Sequence, residues 1–553
     1  MHRESPSIGV QRLAARLPSP RSAAAGLVAL AVLLAGANAG ALITPRPGLE
    51  IQGFFEVKTG LRTPEFKGAE LEMQRNTLQL ESRWEFLREH ELFGLDTGPL
   101  EQASLFVIGR GVYDSVYDLR NSFRGKSFSD NERDRLRTEY MVREVYGEFL
   151  VPPFTLRLGR QQVVWGESDQ FRALDVINPL DFRWHWYFEP WEDIRVTTWM
   201  ARGIYDIGKL AFLDEVFLEG IWIPGDFEKN KISSDPRRPW GFFGQGVPEQ
   251  ANTAILGGQV YDLEDPVRSE EPHRTLKSSE LGFRLKGIWN EVDFSLNYFW
   301  TISDDPGIKV RQDLATIGAP TQPDAVGTLR LPIELYYPRS HVVGVSANYA
   351  EERFTQTVFR LESTYTTGVP VALGEDAPAS VNPNQNLYQS SQRTVLMLAF
   401  DRPTWIKALN SIRTFFLTGQ LFWRHYVDYN RFFAGIPSVY QAQLDGDVLE
   451  GRYVSQNTDR LNEDELVATF AASTTYGPAG LWQPTIANAY DIVGSCGYTK
   501  VELEHIFSDH IIFRLRQDVF WGRVGEGPWF LGGRFGRPGD SRQGTYFIVV
   551  YQF

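Results

Sequence analysis

Apolar and polar residues alternate along most of this chain. In TLQLESRWEF, Leu78, Leu80, Trp84 and Phe86 fall on one face and Gln79, Glu81, Arg83 and Glu85 on the other. EVDFSLNYFWTI sets Val292, Phe294, Leu296, Tyr298, Trp300 and Ile302 against Asp293, Ser295, Asn297 and Thr301. Just before it, Leu281, Phe283, Leu285 and Trp289 oppose Glu280, Arg284 and Lys286. Toward the C-terminus Val501, Leu503 and Phe507 oppose Lys500, Glu502 and Glu504, and Phe513, Leu515, Val519 and Trp521 oppose Arg514, Arg516 and Asp518. A period of two marks a strand with one apolar and one charged face. A water-soluble sandwich alternates too, but its polar face seldom carries ion-pairing residues on nearly every strand. Aromatic pairs such as Tyr336-Tyr337, Phe422-Trp423 and Phe520-Trp521 gather at strand ends, where a membrane barrel keeps its interfacial girdles. The pattern predicts an all-β chain, a single transmembrane antiparallel barrel with apolar residues toward lipid and charges toward a lumen.

Connection lengths test this independently. Strands are expected near 49–62, 71–89, 100–116, 140–152, 154–166, 193–206, 214–224, 275–289, 291–303, 335–350, 353–367, 391–402, 410–424, 464–477, 481–494, 497–507, 509–523 and 542–553. That is about 18, an even number as bacterial barrels require, with 16 as the main alternative. Pro152-Pro153, Asn290-Glu291, Glu351-Glu352 and Ser508-Asp509 mark short turns, and between them fall long segments near 117–139, 167–192, 225–274, 304–334, 368–390 and 425–463. If both chain ends are periplasmic, every long segment lies outside, as expected of short periplasmic turns and long external loops. The count is weakest at 464–507, where GPAG and GSCG are both short, and the alternation is poor in TLRLGRQQVVWGES.

Composition agrees. Aromatics make up 13% of 553 residues, yet charged residues make up 23% and the mean hydropathy is only −0.28. Disordered chains lack so many rings, and membrane-helix bundles are not hydrophilic on average. The single Cys496 excludes a disulfide scaffold and a cysteine zinc site. A net charge of −13 without a basic block argues against nucleic-acid binding. Residues 1–39 read as a secretory signal: Arg3, Arg12, Arg16 and Arg21 precede an apolar stretch from Ala23 to Ala37, and Ala37-Asn38-Ala39 offers a cleavage site. Cleavage there removes four Arg and one Glu, taking the charge of −13 to −16. The expected location is the bacterial outer membrane, with lipid and lipopolysaccharide as surroundings. The last strand, GTYFIVVYQF, ends in Phe553 with Tyr551 two residues earlier, an ending that resembles the signal read by the outer-membrane assembly machinery.

The segment from Arg157 to Met200 resembles a bacterial family, the outer-membrane proteins classed as domain of unknown function 1302. The resemblance rests on Gly159-Arg160-Gln161, Trp165-Gly166-Glu167, Asp175-Val176-Ile177-Asn178-Pro179-Leu180-Asp181 and Trp222-Ile223-Pro224. It implies an outer-membrane barrel and supplies no activity, substrate or site residue.

Candidate chemistry therefore comes from the lumen. A barrel this wide is narrowed only by a loop folded inward, and no N-terminal plug is expected, because strands begin about ten residues after the cleavage site. The 167–192 segment, with Asp169, Asp175, Asp181, Arg183, Trp184, His185, Trp186, Tyr187, Trp191 and Glu192, suits that task; an Asn-Pro turn with girdle aromatics at the rim is the plainer reading. The pore-lining and constriction candidates are Arg157, Gln161, Glu167, Asp175, Asp181, Arg183, Trp184 and Trp186, with Glu81, Arg83, Glu280, Arg284, Arg360, Glu502, Arg514 and Arg516 on the wall. Charges of both signs brace a wall; a strongly ion-selective pore would show a single-sign ring. No cofactor or metal is expected, since the histidines lack ligand spacing, and no nucleophile, base and orienter fall together as an enzyme requires. The expected function is a channel for small solutes. The alternatives are a transporter or export partner for hydrophobic molecules and a structural or adhesive barrel with a sealed lumen.

Overall fold

The computed structural model describes residues 43–553 apart from 64–67, 93–94, 120–133, 135–136, 170, 182–188, 232–252, 257–258, 264–266, 271, 311–315, 320–326, 331–332, 375–376, 379, 382–387, 434–440, 446–447, 453–460 and 523–542. The signal segment lies outside the described residues. Eighteen antiparallel strands form the wall. They are β1 (Leu49–Arg62), β2 (Glu70–Leu87), β3 (Gln102–Asp114), β4 (Thr138–Val151), β5 (Phe154–Gln161) and β6 (Thr198–Leu210). Next come β7 (Leu213–Ile223), β8 (Glu280–Trp289), β9 (Val292–Ile302), β10 (Arg339–Glu351), β11 (Thr357–Ala372) and β12 (Tyr388–Thr404). The last six are β13 (Phe415–Tyr426), β14 (Asp464–Ser473), β15 (Trp482–Asp491), β16 (Cys496–Ile506), β17 (Ile511–Gly522) and β18 (Gly544–Gln552). Each pairs with its neighbours in sequence, and β18 closes on β1 from Phe54↔Gln552 to Arg62↔Gly544. A short strand, Ile43–Arg46, folds back onto the start of β1.

Closure pairs every spanning backbone group, the condition for a sheet in lipid. The alternation then decides orientation: Leu158, Leu296, Leu398, Leu515 and Phe547 are each 45–50% exposed on the outer surface, while Lys58, Arg110, Glu219 and Glu362 are buried inside. This outward apolar band and inward charge place the barrel in the outer membrane. Among the described residues no helix is long and apolar enough to cross a membrane.

Turn chemistry sets the parity. Asn290 and Glu291 take φ of 45° and 71° and link Trp289 directly to Val292, a two-residue hairpin whose twist matches the strands. The doubtful 464–507 stretch holds three separate strands. Between β15 and β16 the chain turns in four residues, with the Asp491 carboxylate accepting the backbone N–H groups of Val493 and Gly494 at 2.8 Å each. The 16-strand alternative therefore falls. Several boundaries also shift: the strand expected to run to 166 ends at Gln161, and those expected from 193, 275 and 410 start at Thr198, Glu280 and Phe415.

Phe553 is buried, and its backbone exchanges hydrogen bonds with Gly53, Phe553 N–H to Gly53 O at 3.0 Å and the reverse at 2.9 Å. Tyr551 precedes it with ring centroids 6.0 Å apart. Deleting Phe553 removes the last rung of the closing pair. The expected outcome is a marked drop in folded, heat-modifiable barrel in outer-membrane fractions; wild-type amounts would count against an assembly role for this residue.

Candidate functional site: the lumen and its inserted segment

The poor alternation after Leu158 has a physical cause. At Gln161 the chain leaves the wall, and it rejoins only at Thr198. Within 162–197, Val163 and Trp165 are almost completely buried and pack with Leu174, Ile177, Met200, Ile221, Ile223, Phe299 and Val342 inside the barrel. The Trp165 indole N–H donates to Glu219 at 3.3 Å. Two inward glycines make room: a Cβ on Gly282 would lie 2.9 Å from the Trp165 ring, and one on Gly344 would lie 2.3 Å from Leu174. Asn178, read from sequence as a turn residue, is instead a fully buried brace. It accepts the Val163 N–H at 2.8 Å and donates to the carbonyls of Val196 (2.9 Å) and Gln161 (3.4 Å). Phe171 reaches the opposite wall, edge-on to Phe422 at 5.4 Å.

Polar contacts hold the segment at both ends. Glu362 of β11 accepts the backbone N–H groups of Glu167 and of Leu174 (3.0 Å), and Asn348 of β10 donates to the Glu167 carboxylate. Arg360 pairs with Asp169 at 2.7 Å and with Asp401 of β12 at 2.8 Å. Gln420 of β13 also donates to Asp169, at 2.7 Å. The returning chain pairs Glu189 with Lys58 of β1 at 2.9 Å and Asp193 with Arg110 of β3. Arg143 of β4 donates to the carbonyls of Glu192 and Asp193. The Trp191 indole N–H donates to Asp169 O at 2.7 Å, bringing the outgoing and returning strands of the segment together. The segment thus touches the wall on β1, β3 and β4 and again on β10, β11 and β13.

Burial would raise the Glu189 carboxyl, but Lys58, Arg516 and Arg75 outweigh it and lower it from 4.5 to about 2. A depressed acid contributes docking energy above its ordinary value and loses it as pH falls through the folded one. The anchor should hold unchanged from neutral pH to about 5 and weaken from about 4.5 toward 2. Single-channel recordings across that range should show constant steps at first and larger, noisier ones below; a change centred near pH 7 would point to another group.

Most candidates from the sequence meet here. Glu167 and Arg360 join the segment to the wall, and Asp175 pairs with Arg195 at 2.9 Å. Gln161 is buried and donates to Met200 O at 3.3 Å. Asp181 is buried, its N–H donating to Ile194 O at 2.6 Å. Arg157 pairs with Glu148 across the β4–β5 ladder. Glu280 accepts from the Thr301 hydroxyl, and Arg284 is buried on the same strand. Arg514 pairs with Glu504 at 2.6 Å and Arg516 with Asp518 at 2.7 Å. Glu81 and Glu502 line an open cavity. Arg83 is exposed, its guanidinium 5.4 Å from the Phe106 ring. Arg183, Trp184 and Trp186 lie outside the described residues. Sequence reading passed over Lys58, Glu189, Arg110 and Arg143. Lys58 and Arg110 could have been found as charges on the polar face of their strands; Asn178 was singled out in the family motif and as a turn residue, but its bracing role was not read.

The inner wall differs from a uniformly charged one. Val395, Met397, Phe422, Val467, Ala489, Tyr498, Phe520, Tyr546, Ile548 and Val550 point inward and form an apolar cluster with Phe171. Strands β12–β18 therefore carry apolar residues on both faces. Beside this cluster lies a cavity of about 920 Å³, bounded by β1, β2, β14–β18 and residues 189–193. It is large enough for a ligand of a few hundred daltons. Among the described residues no group of His, Cys, Asp and Glu could hold a metal ion.

Residues 22–494 match the family described as "Protein of unknown function (DUF1302)". The chain belongs to this family. The residues that carry the family resemblance, Gln161, Trp165, Glu167, Asp175, Asn178 and Ile223, are the ones that build and seat the inserted segment. Nothing among curated proteins matches the chain. Among solved structures it is similar to OccAB1 of Acinetobacter baumannii, with 9% identity, a TM-score of 0.42 and coverage of 92% of this chain and 96% of that one. OccK2 (OpdF) of Pseudomonas aeruginosa, in complex with glucuronate, shows 10% identity, a TM-score of 0.40 and coverage of 91% and 98%. The anion-selective porin of Comamonas acidovorans shows 9%, 0.34, 91% and 99%. Likenesses this distant say nothing about what this chain carries.

Proposed function

We propose that this barrel is an outer-membrane channel for small solutes, narrowed by residues 162–197. The observation that carries the reading is the segment itself: it crosses from β5–β6 to β10–β13 and back to β1, and a charged cavity of about 920 Å³ remains beside it. A barrel of this strand number encloses an aqueous channel unless something fills it. Here the filling is partial and held by side-chain contacts. A sealed structural barrel would need no such cavity. The apolar inner face of β12–β18 keeps a second reading in view, passage of molecules with an apolar body.

Liposome swelling tests the reading. Vesicles holding the purified barrel should swell in small neutral sugars and progressively less in larger oligosaccharides. Swelling indifferent to solute size would remove the constriction, and no swelling in any solute would remove the channel.

A further inference from the structure

Resting on the channel reading, the anchor at Glu189 goes further and specifies a class of cargo. The buried Lys58 ammonium on β1 donates to both oxygens of the Glu189 carboxylate, at 3.0 and 2.9 Å. The strand registers set further cations around this point. Arg75 is the direct neighbour of Lys58 across β1–β2. On the other side Ile548 alone separates Lys58 from Arg514 on one rung, and Arg516 lies on the next inward rung, opposite Tyr546. Arg75 and Arg516 act on the Glu189 carboxylate together with Lys58.

Acids share this wall, and their reach decides the sign of the site. Glu56 approaches Lys58 only to 3.7 Å. Asp114 faces Arg75 across β2–β3, and Arg516 faces Glu502 and pairs with Asp518 at 2.7 Å. Even so, the field at the Glu189 carboxylate favours negative charge strongly enough to override its burial. The position therefore suits a carboxylate, whichever molecule carries it.

Glu189 is not part of the wall. It arrives on the inserted segment, 131 positions from Lys58 in sequence. It also borders the cavity of about 920 Å³, as do Lys58, Ile548, Arg514 and Arg516, so a solute in that cavity meets the same ammonium. A wall site that holds a tethered group also accepts a free group of the same chemistry, at an affinity reduced by the effective concentration of the tether.

We infer that the basic site at Lys58 is a receptor for the carboxylate of anionic organic solutes, and that Glu189 is its tethered occupant, displaced when such a solute binds.

Benzoate tests this against benzamide, which keeps the ring and lacks the charge. Ligand-observed NMR titration of the full, detergent-folded and heat-modifiable barrel reads the affinity for each. Two substitutions break the same ion pair and should give opposite results. Glu189→Gln removes the competitor and keeps Lys58, so benzoate should bind roughly ten-fold more tightly than to the wild type. Lys58→Met removes the receptor, so benzoate should bind roughly ten-fold more weakly to it than to Glu189→Gln, or not at all. Benzamide should bind the two variants alike. A pair that served structure alone would move both variants the same way. Equal benzoate affinity in the two variants, or weaker binding to Glu189→Gln than to the wild type, would overturn the inference. So would benzamide that follows benzoate from variant to variant, because charge would then play no part. The titration needs no current: this pattern in a barrel that never conducts would sink the channel reading alone, and a conducting barrel without the pattern would sink only this inference.

Discussion

Replacing residues 170–190 with a short Gly-Ser link raises single-channel conductance several-fold over the intact protein. The link closes without strain, because Asp169 and Trp191 are already joined by the indole N–H to Asp169 O bond of 2.7 Å. About four residues span any gap of that order. The wall does not depend on the excised chain, since β5 and β6 remain paired from Phe154↔Tyr205 to Gln161↔Thr198. What is lost is the material crossing the lumen, Phe171, Leu174, Asn178 and Glu189 among it, and with it the apolar cover over Phe422 and Val467. The ladders around the barrel outweigh that exposure, so the variant should keep its heat-modifiable mobility. A folded variant with the conductance of the intact protein would show that the segment does not narrow the path.

Lys58→Met acts at a single anchor. Lys58 and Glu189 are 7% and 10% exposed, with 2.9 Å between their charged atoms. Removing one member of a buried pair typically costs about 3–5 kcal/mol, because the other charge is left without compensation. Arg516 and Arg75 also act on Glu189, which places the cost toward about 3 kcal/mol. A docked segment stabilised by a few kcal/mol would then open for a measurable share of the time. Recordings should show a second, larger conductance level visited repeatedly in Lys58→Met and rarely in the wild type. The charge swap Lys58→Glu with Glu189→Lys should reduce those visits. Identical traces for wild type and Lys58→Met would mean that this pair does not hold the segment.

The barrel was legible because alternation is a local property. Leu296 against Asn297, or Leu515 against Arg514, declares a face from adjacent residues, and parity of short and long connections then tests the count. The end of β5 was misplaced by five residues because Val163 and Trp165 are apolar residues that a strand would also use, although they break the phase of Leu156 and Leu158 and leave the wall; burial inside a lumen and exposure to lipid select the same apolar side chains. For the same reason the inward apolar face of β12–β18 was hidden. Ile548 and Val550 alternate with Phe547, Val549 and Tyr551, and a strand apolar on both faces has no period to read. The contacts that seat the segment, Glu362 with Leu174 or Glu189 with Lys58, join residues more than a hundred positions apart. Glu362, Glu189 and Lys58 were visible as charges, but nothing local pairs them with their partners.

The central claim is an open path narrowed by the chain's own segment. Its most direct test is the current through the intact, purified protein in a planar bilayer. The account predicts discrete, steady steps, smaller than those of the shortened variant under the same conditions. A bilayer that stays silent with folded wild-type protein, at densities where the shortened variant conducts, would show that the native lumen is sealed.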